Sequence, residues 1–399
     1  MELIQNINSF LWNDNVLYVV LAAGILFTVW SGLCQYRALT HGLPVTLGRY
    51  DNPSDPGAIN HFQALSTAMS STVGLGNIGG VAIAISLGGP GALFWMWVVG
   101  VFGMALKVTE VTLAMMYRNL DDPTNPRGGP MWVSKRAFAE LGLPRLGLLI
   151  GSLYCLATII GSFTGGNMFQ AWNVADVTHT FFGWPRLLVG AILSITVGLV
   201  IIGGIKRIGK VTSIIVPVMC VMYLLAGAYV LVLNIASLPS IFSMIIASAF
   251  NPTQASGAFV GGTMGSAMLW GMKRALYSSE AGLGSSAIAH SAAKTDEPVR
   301  EGIVAGLEPF IDTLVVCTIT GLIILSSGVW NQSADGLINE LPEFEEISTT
   351  QWQLPPVPIA NFSSEQNITP VFIAVTIDDG ELIRVHGEIV ADAEGHRAL

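Results

Sequence analysis

The sequence predicts an all-α protein that crosses a membrane several times. Of its 399 residues, 52% are hydrophobic and only 11% are charged, whereas soluble domains are about one quarter charged. Its glycine content is also high, at 44 residues, which membrane helices tolerate better than soluble ones. Long uncharged apolar stretches recur along the chain, and about 20 such residues cross the hydrocarbon core as a helix. These observations exclude a water-soluble fold.

Eight stretches are long and apolar enough to be candidate spans. They lie at about 16–34, 62–87, 91–117, 146–174, 187–205, 211–233, 256–277 and 303–330. The first follows Glu2 and Asp14 rather than a basic stretch, and no small-residue cleavage site follows it. We therefore expect a retained helix rather than a signal peptide.

The basic residues concentrate in alternate connections. Two arginines follow span 1, five basic residues between 118 and 145 follow span 3, three between 206 and 210 follow span 5, and four between 273 and 300 follow span 7. Cytoplasmic loops carry such an excess of Lys and Arg. The sequence therefore predicts that these loops are cytoplasmic and that the N-terminus and the C-terminal tail lie outside the cytoplasm.

The last part of the chain differs in composition from the rest. Residues 331–399 contain two arginines and 12 acidic residues, and no spanning stretch follows Trp330. Residues 370–392 alternate apolar and polar side chains around Asp378, Asp379 and Gly380, a pattern typical of a β-hairpin. We therefore divide the chain into a transmembrane domain at 1–330 and an acidic tail or loop insertion at 331–399, with a candidate hairpin at 370–392.

Several classes of function find no support. No basic cluster indicates nucleic-acid binding. The four cysteines lie at irregular spacing in apolar runs, which indicates neither a disulfide framework nor a metal site. No nucleophile–base motif or phosphate loop points to an enzyme, and no histidine lies at a span centre to suggest a proton relay.

Span 2 contains a stretch that is unfavourable for a helix. Gly74, Gly76, Gly79 and Gly80 fall within seven residues, and each costs a helix interior about 1 kcal/mol relative to alanine. Backbone released from helical pairing cannot face lipid. It can offer carbonyl oxygens to a small cation and N–H groups to a carboxylate. Close packing through small residues is the alternative, but it leaves the nearby Thr72 and Asn77 unexplained.

Polar side chains in other spans have two interpretations. Asn167 and Gln170 are one turn apart in span 4 and could hold an ammonium or a carboxylate, or form an interhelical hydrogen bond. Lys107 lies three residues before Glu110, so these two side chains either pair or extend to the interface. Glu308 and Asp312 are four residues apart on one predicted face of span 8, where gating or coupling is a hypothesis.

Six strings resemble those of the alanine or glycine:cation symporter family. They occur in the family's order at residues 62–68 (FQALSTA), 74–78 (GLGNI), 128–131 (GGPM), 166–171 (GNMFQA), 280–285 (EAGLGS) and 306–312 (GLEPFID). The resemblance implies a sodium-driven, occasionally proton-driven, importer of alanine or glycine in a prokaryotic inner membrane, with no other cofactor. It also implies an extra first helix followed by five-plus-five inverted repeats of the amino acid–polyamine–organocation superfamily. That architecture has eleven spans, so we expect the second repeat to be incomplete here, without its last three helices.

The resemblance also implies residue roles. Residues 73–77 resemble the unwound first helix of the bacterial leucine transporter. By that likeness, carbonyls of Ser70 and Val73 contact sodium, and N–H groups near Leu75 and Gly76 contact the substrate carboxylate.

The same likeness assigns three side chains. Thr72 and Asn77 line both the sodium and the substrate site, and Gln170 contacts the amino acid. A non-transporting membrane remnant whose exposed tail binds a partner is the alternative to a symporter.

Overall fold

Helices make up most of the chain in the computed structural model. It describes residues 14–250, 264–328 and 330, and six strand segments of the tail. The helices of the first half are α1 (Asp14–Trp30), α2 (Cys34–Arg37), α3 (Leu43–Thr46), α4 (His61–Thr72), α5 (Leu75–Gly88), α6 (Gly91–Met116), α7 (Pro130–Glu140), α8 (Pro144–Gly161) and α9 (Phe169–Phe182). Those that follow are α10 (Arg186–Ile201), α11 (Gly204–Leu233), α12 (Leu238–Phe250), α13 (Met264–Ser279), α14 (Ser285–His290), α15 (Pro298–Ala305), α16 (Leu307–Pro309) and α17 (Thr318–Ser327).

Three π-helical segments interrupt these helices. They are Ala38–Gly42 between α2 and α3, Ser162–Met168 between α8 and α9, and Phe310–Cys317 between α16 and α17. A short 3₁₀ segment, Ile235–Ser237, precedes α12. Such π segments occur frequently at functional sites.

Membrane-length helices correspond to most of the predicted spans. Within the described residues, four helices are long and apolar enough to cross a bilayer: Gly91–Met116, Pro144–Phe182, Gly204–Leu233 and Pro298–Ser327. Two bent pairs raise the number to six, with a bend of 71° after α1 and of 42° between α4 and α5. The other two predicted spans correspond to α10, which has 16 residues, and α13, whose predicted beginning lies outside the described residues. The prediction of an all-α polytopic membrane protein is confirmed at this level.

Local sequence explains several helix ends. The Asn60 side chain accepts a hydrogen bond from the Gln63 amide, and the Gln63 side chain accepts one from the Asn60 amide, which forms a capping box at the start of α4. Prolines occupy the first helical position of α7, α8 and α15, where the missing N–H costs nothing.

The chain separates into two compact units. The first contains Met1–Val81, Trp95–Leu233 and Met272–Gly321, and the second contains Ala82–Phe94, Asn234–Gly271 and Leu322–Leu399. All residues of the candidate sites belong to the first unit. In the second unit, Gly91 lies so close to Ser248 that a Cβ would come within 2.5 Å of its backbone.

One apolar cluster of the first unit lies beside the interruption between α4 and α5. Leu65 and Met69 of α4 pack with Val216 of α11 and Val304 of α15, and Val73 packs against this cluster. The packing therefore holds the end of α4 against α11 and α15.

Arg118 joins several connections at one end of the first unit. Its guanidinium donates hydrogen bonds to the carbonyl oxygens of Pro56, Ser291, Ala293 and Thr295. These residues belong to the loops after predicted spans 1, 3 and 7. Three of the four Lys- and Arg-rich loops therefore meet at this end of the unit, and the predicted topology stays a prediction.

Helices α8 to α11 expose many large apolar side chains. Leu148, Phe163, Leu187, Ile214 and Leu225 each expose more than half of their surface. Such surfaces suit lipid rather than water.

The described part of the tail consists of short strands. They are β1 (Gly336–Ile338), β2 (Glu345–Ser348), β3 (Gln351–Gln353), β4 (Ile368–Thr376), β5 (Leu382–Ala391) and β6 (Arg397–Ala398). One sheet has the order β1-β4-β5-β6, and β2 pairs with β3. Strands β4 and β5 pair antiparallel from Ile368↔Val390 to Thr376↔Leu382, a range that overlaps the candidate hairpin at 370–392 and begins two residues before it. The division of the chain at residue 330 stays a prediction.

Candidate functional site

The interruption between α4 and α5 consists of Val73 and Gly74. Val73 has an extended backbone, with φ −78° and ψ 108°. Its amide donates the last hydrogen bond of α4, to the Met69 carbonyl, whereas the Gly74 amide donates to the Asn77 side chain instead of to the Ser70 carbonyl. The carbonyls of Ser70, Ser71 and Thr72 therefore lose the amide partners that a continuous helix would give them. The prediction of a break in this span is confirmed, although α5 resumes already at Leu75.

Asn77 stabilises the interruption from within α5. Its side-chain oxygen accepts a hydrogen bond of 2.7 Å from the Gly74 amide. Its side-chain nitrogen donates to Ser278 Oγ at 2.9 Å and to the carboxylate of Asp312. Asn77 is fully buried, so its amide connects the interruption to α13 and to the π segment after α16.

Asp312 is a buried carboxylate that has no paired counter-charge in the part of the chain that the structure describes. It is 0% exposed, and its oxygens accept hydrogen bonds from Asn77, Ser278 and Thr313. Within the described residues, no Lys, Arg or His nitrogen forms a salt bridge with it. An isolated buried charge is costly, so this group suits either a bound cation or protonation.

The other predicted sodium ligands lie around the interruption. Thr72 is buried, and its hydroxyl donates to the Met69 carbonyl at 3.4 Å. Ser70 is exposed, and its hydroxyl donates to the Thr67 carbonyl at 2.6 Å. The carbonyl of Ser70, rather than its hydroxyl, is therefore the group that the interruption makes available.

The predicted substrate contacts divide into two groups. Leu75 and Gly76 form the first turn of α5, where N–H groups have no helical partner. A Cβ on Gly76 would come within 3.3 Å of the Ser278 Cα, so α13 crosses α5 closely here. Gln170 lies half-buried in α9, and within the described residues its side chain makes no hydrogen bond to the interruption.

Sequence reasoning did not assign Ser278 or Asp312 to this site. A regular helix would place Glu308 and Asp312, four residues apart, on one face, and the sequence therefore predicts them as a pair. The π segment begins at Phe310 between them and has a different period. Glu308 and Asp312 consequently belong to separate clusters. The signal that could have identified Ser278 was its position beside the 280–285 string.

Glu280 follows α13 in a strained conformation. Its φ is 51°, which is uncommon for a residue other than glycine. Its carboxylate accepts hydrogen bonds from Ser285 and, at 3.4 Å, from Ser71 beside the interruption.

Lys107 and Glu308 form the buried centre of a second polar cluster. Lys107 Nζ lies 3.0 Å from a Glu308 oxygen and 3.8 Å from a Glu110 oxygen. The prediction that Lys107 pairs with Glu110 is confirmed, whereas its extension to the interface is wrong, because Lys107 is 0% exposed.

Two histidines continue this cluster. His290 Nε2 lies 2.6 Å from Glu308, its Nδ1 contacts Glu301, and Glu301 also contacts Nδ1 of His61. We call the series His61, Glu301, His290, Glu308 and Lys107 the ionic chain. Sequence reasoning missed it because both histidines lie outside the predicted spans.

Comparison with known proteins gives a consistent family. The sequence profile described as "Sodium:alanine symporter family" matches residues 1–350. The chain is 44% identical over 331 residues to "Sodium/alanine symporter AgcS" of Methanococcus maripaludis, which covers 82% of this chain and 71% of that protein.

Two proteins of Bacillus subtilis are also similar. "Probable sodium/glutamine symporter GlnT" is 36% identical, over 81% of this chain and 65% of its own length. "Amino-acid carrier protein AlsT" is 33% identical, over 84% of this chain and 69% of its own length.

Proposed function

Because the chain belongs to the sodium:alanine symporter family, a family of transporters rather than enzymes, we propose that it carries out sodium-coupled symport of alanine or glycine. Membership of this family supports cation-coupled symport of an amino acid. The choice of alanine or glycine is our proposal, since one relative is named for glutamine.

The observation that carries the proposal is the interrupted helix beside an uncompensated carboxylate. We assign sodium to the carbonyls of Ser70 and Val73, with Thr72 and Asn77 lining the site. To these we add the carboxylate of Asp312, whose buried charge a sodium ion would neutralise. Oxygen ligands of this kind suit hard cations.

The amino-acid site is proposed on the other side of the interruption. The N–H groups of Leu75 and Gly76 open α5, and the positive end of the helix dipole attracts a carboxylate. We assign the substrate carboxylate to these groups and Gln170 to a second contact with the amino acid, which requires α9 to approach the interruption in the loaded state.

Coupling follows from the shared residues. Sodium bound between the interruption and Asp312 would fix the geometry of Val73 to Asn77, and the same segment supplies the substrate contacts. A ligand shifts a conformational equilibrium only through its differential affinity for the two states. We propose that sodium favours the state in which these N–H groups are arranged for the amino acid, and that alternating access then moves both ligands across the membrane.

The proposed location is the inner membrane of a prokaryotic cell, with the Lys- and Arg-rich loops in the cytoplasm. We also propose that the helices form the inverted repeats of the amino acid–polyamine–organocation superfamily. The contacts of Arg118 support a common side for the loops after spans 1, 3 and 7.

The function is tested by uptake of radiolabelled alanine into liposomes that contain the purified chain. We expect uptake to require an inward sodium gradient and to be inhibited by unlabelled glycine but not by glutamine. Sodium-dependent uptake inhibited only by glutamine would contradict the proposed substrate. Absence of sodium-dependent uptake by correctly folded protein would contradict the function.

The site is tested by Asn77→Ala. A lost hydrogen bond to a charged group is worth about 1.5–3 kcal/mol. The half-saturating concentrations of sodium and alanine should therefore rise roughly ten- to a hundredfold. Asn173→Ala is the matched control, because Asn173 donates to the Phe169 carbonyl of its own helix, at 3.0 Å. Equal uptake kinetics in both variants would remove Asn77 from the site.

A further inference from the structure

In the ionic chain, carboxylate oxygens contact more ring nitrogens than neutral histidines can protonate. Both ring nitrogens of His290 contact carboxylate oxygens, Nδ1 with Glu301 and Nε2 with Glu308. A neutral imidazole has one N–H and one lone pair, so one contact would place a lone pair against a carboxylate. An imidazolium has two N–H groups and satisfies both contacts. The three groups then hold one proton beyond neutral histidine and two carboxylates.

The charge count supports the same proton. Lys107, His290, Glu301 and Glu308 are all 0% exposed. With the extra proton, their two positive and two negative charges cancel. Without it, the buried group carries one net negative charge, which is costly in a low dielectric.

Other charged groups face this cluster without replacing the proton. Glu110 lies 3.8 Å from Lys107 and adds negative charge. Arg118 donates its described hydrogen bonds to backbone carbonyls and to the Met115 sulfur rather than to Glu301. Ser286 contacts Lys107 and donates to Glu308 at 2.7 Å, but a hydroxyl supplies no charge.

A route to solvent leads through His61. This side chain is 1% exposed, and its Nε2 has no hydrogen-bond partner in the described structure. The nearest carboxylate is Asp51, at 3.5 Å, and the Asp51 side chain is 43% exposed. A buried ring nitrogen without a partner, aimed at an exposed carboxylate, is suited to accept a proton.

We propose that the ionic chain is a proton-binding site, separate from the sodium and amino-acid site, which exchanges one proton with solvent through His61 and Asp51. Asp51 takes a proton from water and passes it to Nε2 of His61, and Nδ1 of His61 releases a proton to Glu301. Glu301 then protonates His290. One proton moves from water to His290, His61 changes tautomer, and the reverse steps return the proton.

The site also has a connection to transport. Helix α16, which carries Glu308, is followed directly by the π segment that carries Asp312, so a change in the pairing of Glu308 acts next to the element that holds the proposed sodium ligand. This link rests on the proposed function, whereas the proton site does not.

The proton site is tested by ¹⁵N NMR of the ring nitrogens of His290 in the full chain, assigned by their loss in His290→Gln. We expect both nitrogens to be protonated at pH 7 and the ring to titrate reversibly at higher pH. Because an amide cannot carry the charge or the proton of Glu301, Glu301→Gln should lower the titration midpoint by at least one pH unit. Glu297→Gln, at an exposed glutamate paired with Arg300, should leave it unchanged.

A neutral His290 at pH 7 in the folded wild type would overturn the proposal without any variant. If Glu301→Gln does not fold, His61→Gln serves instead, and it should slow the solvent exchange of the His290 ring protons. Equal exchange in His61→Gln and wild type would overturn the route through His61.

The link to transport is tested by adding sodium and alanine to weakly buffered protein with a pH indicator, while calorimetry records binding. We expect proton uptake or release approaching one proton per chain, which is lost in Glu301→Gln but retained in Glu297→Gln. Binding without proton movement would overturn the link. Absence of binding would contradict the proposed function, and the NMR titration would still decide the proton site.

Discussion

Asp312 is the residue at which the charge of the proposed sodium site is concentrated. Its hydrogen-bond partners Asn77, Ser278 and Thr313 are all neutral. They can orient the carboxylate, but they cannot balance its charge. A cation that binds here therefore gains its attraction from a single side chain.

Asp312→Asn should accordingly weaken sodium binding while leaving the shape of the site intact. We expect the half-saturating sodium concentration for alanine uptake to rise at least tenfold, because a neutral amide replaces the carboxylate. Asp176→Asn is the control, since Asp176 pairs with Arg186 on the exposed surface at 2.8 Å. Unchanged sodium dependence in Asp312→Asn would exclude this carboxylate as a ligand.

At the level of elements, the interruption of α4 and α5 could be predicted from sequence, because glycines and hydroxyl residues weaken a helix wherever they occur. The π segments could not. Ser162–Met168 contains two glycines and stays helical, whereas Phe310–Cys317 contains none. No residue type in the local sequence therefore marks a π segment. For the same reason, Asn77 was assigned to the site while its partners Ser278 and Asp312 were not. The ionic chain joins residues up to 240 positions apart, which no local pattern indicates.

Gly302 shows how closely α15 and α6 approach each other. A Cβ at this position would lie 2.0 Å from Thr112 Oγ1 and 2.8 Å from the Val108 carbonyl oxygen. The hydroxyl can rotate away, but the carbonyl belongs to the backbone of α6. The contact therefore favours glycine, and it lies next to Glu301 of the ionic chain.

Gly302→Ala should destabilise the protein by about 1–3 kcal/mol, the usual cost of overpacking. The measurement is the thermal unfolding midpoint in detergent, which should fall. Gly161→Ala is the matched control, because no described atom lies within 4 Å of a Cβ there, and its midpoint should not fall. Similar midpoints for the two variants would show that the helices can separate without loss.

At the level of the whole molecule, the ionic chain should make stability depend on pH. Burial alone would lower the pKa of His290, but its hydrogen bonds with Glu301 and Glu308 raise the pKa to about 9. The folded pKa thus exceeds the ordinary value of 6.5. The stabilisation is then fully present below about pH 6.5 and is lost as the pH rises through about 9.

We therefore expect the unfolding midpoint to decrease between pH 6.5 and pH 9.5. His290→Gln should start from a lower midpoint and show a flatter dependence over this interval. A wild-type midpoint that rises over the same interval would contradict the assignment of a protonated His290.

The contacts of Arg118 have a consequence for how the chain is made. Pro56 and Arg118 leave the ribosome early, but the carbonyls of Ser291, Ala293 and Thr295 are synthesised more than 170 residues after Arg118. Until then the guanidinium has only part of its set of acceptors. The helices synthesised first therefore insert before Arg118 has all of its hydrogen-bond acceptors. The contacts that join these loops form late in biosynthesis.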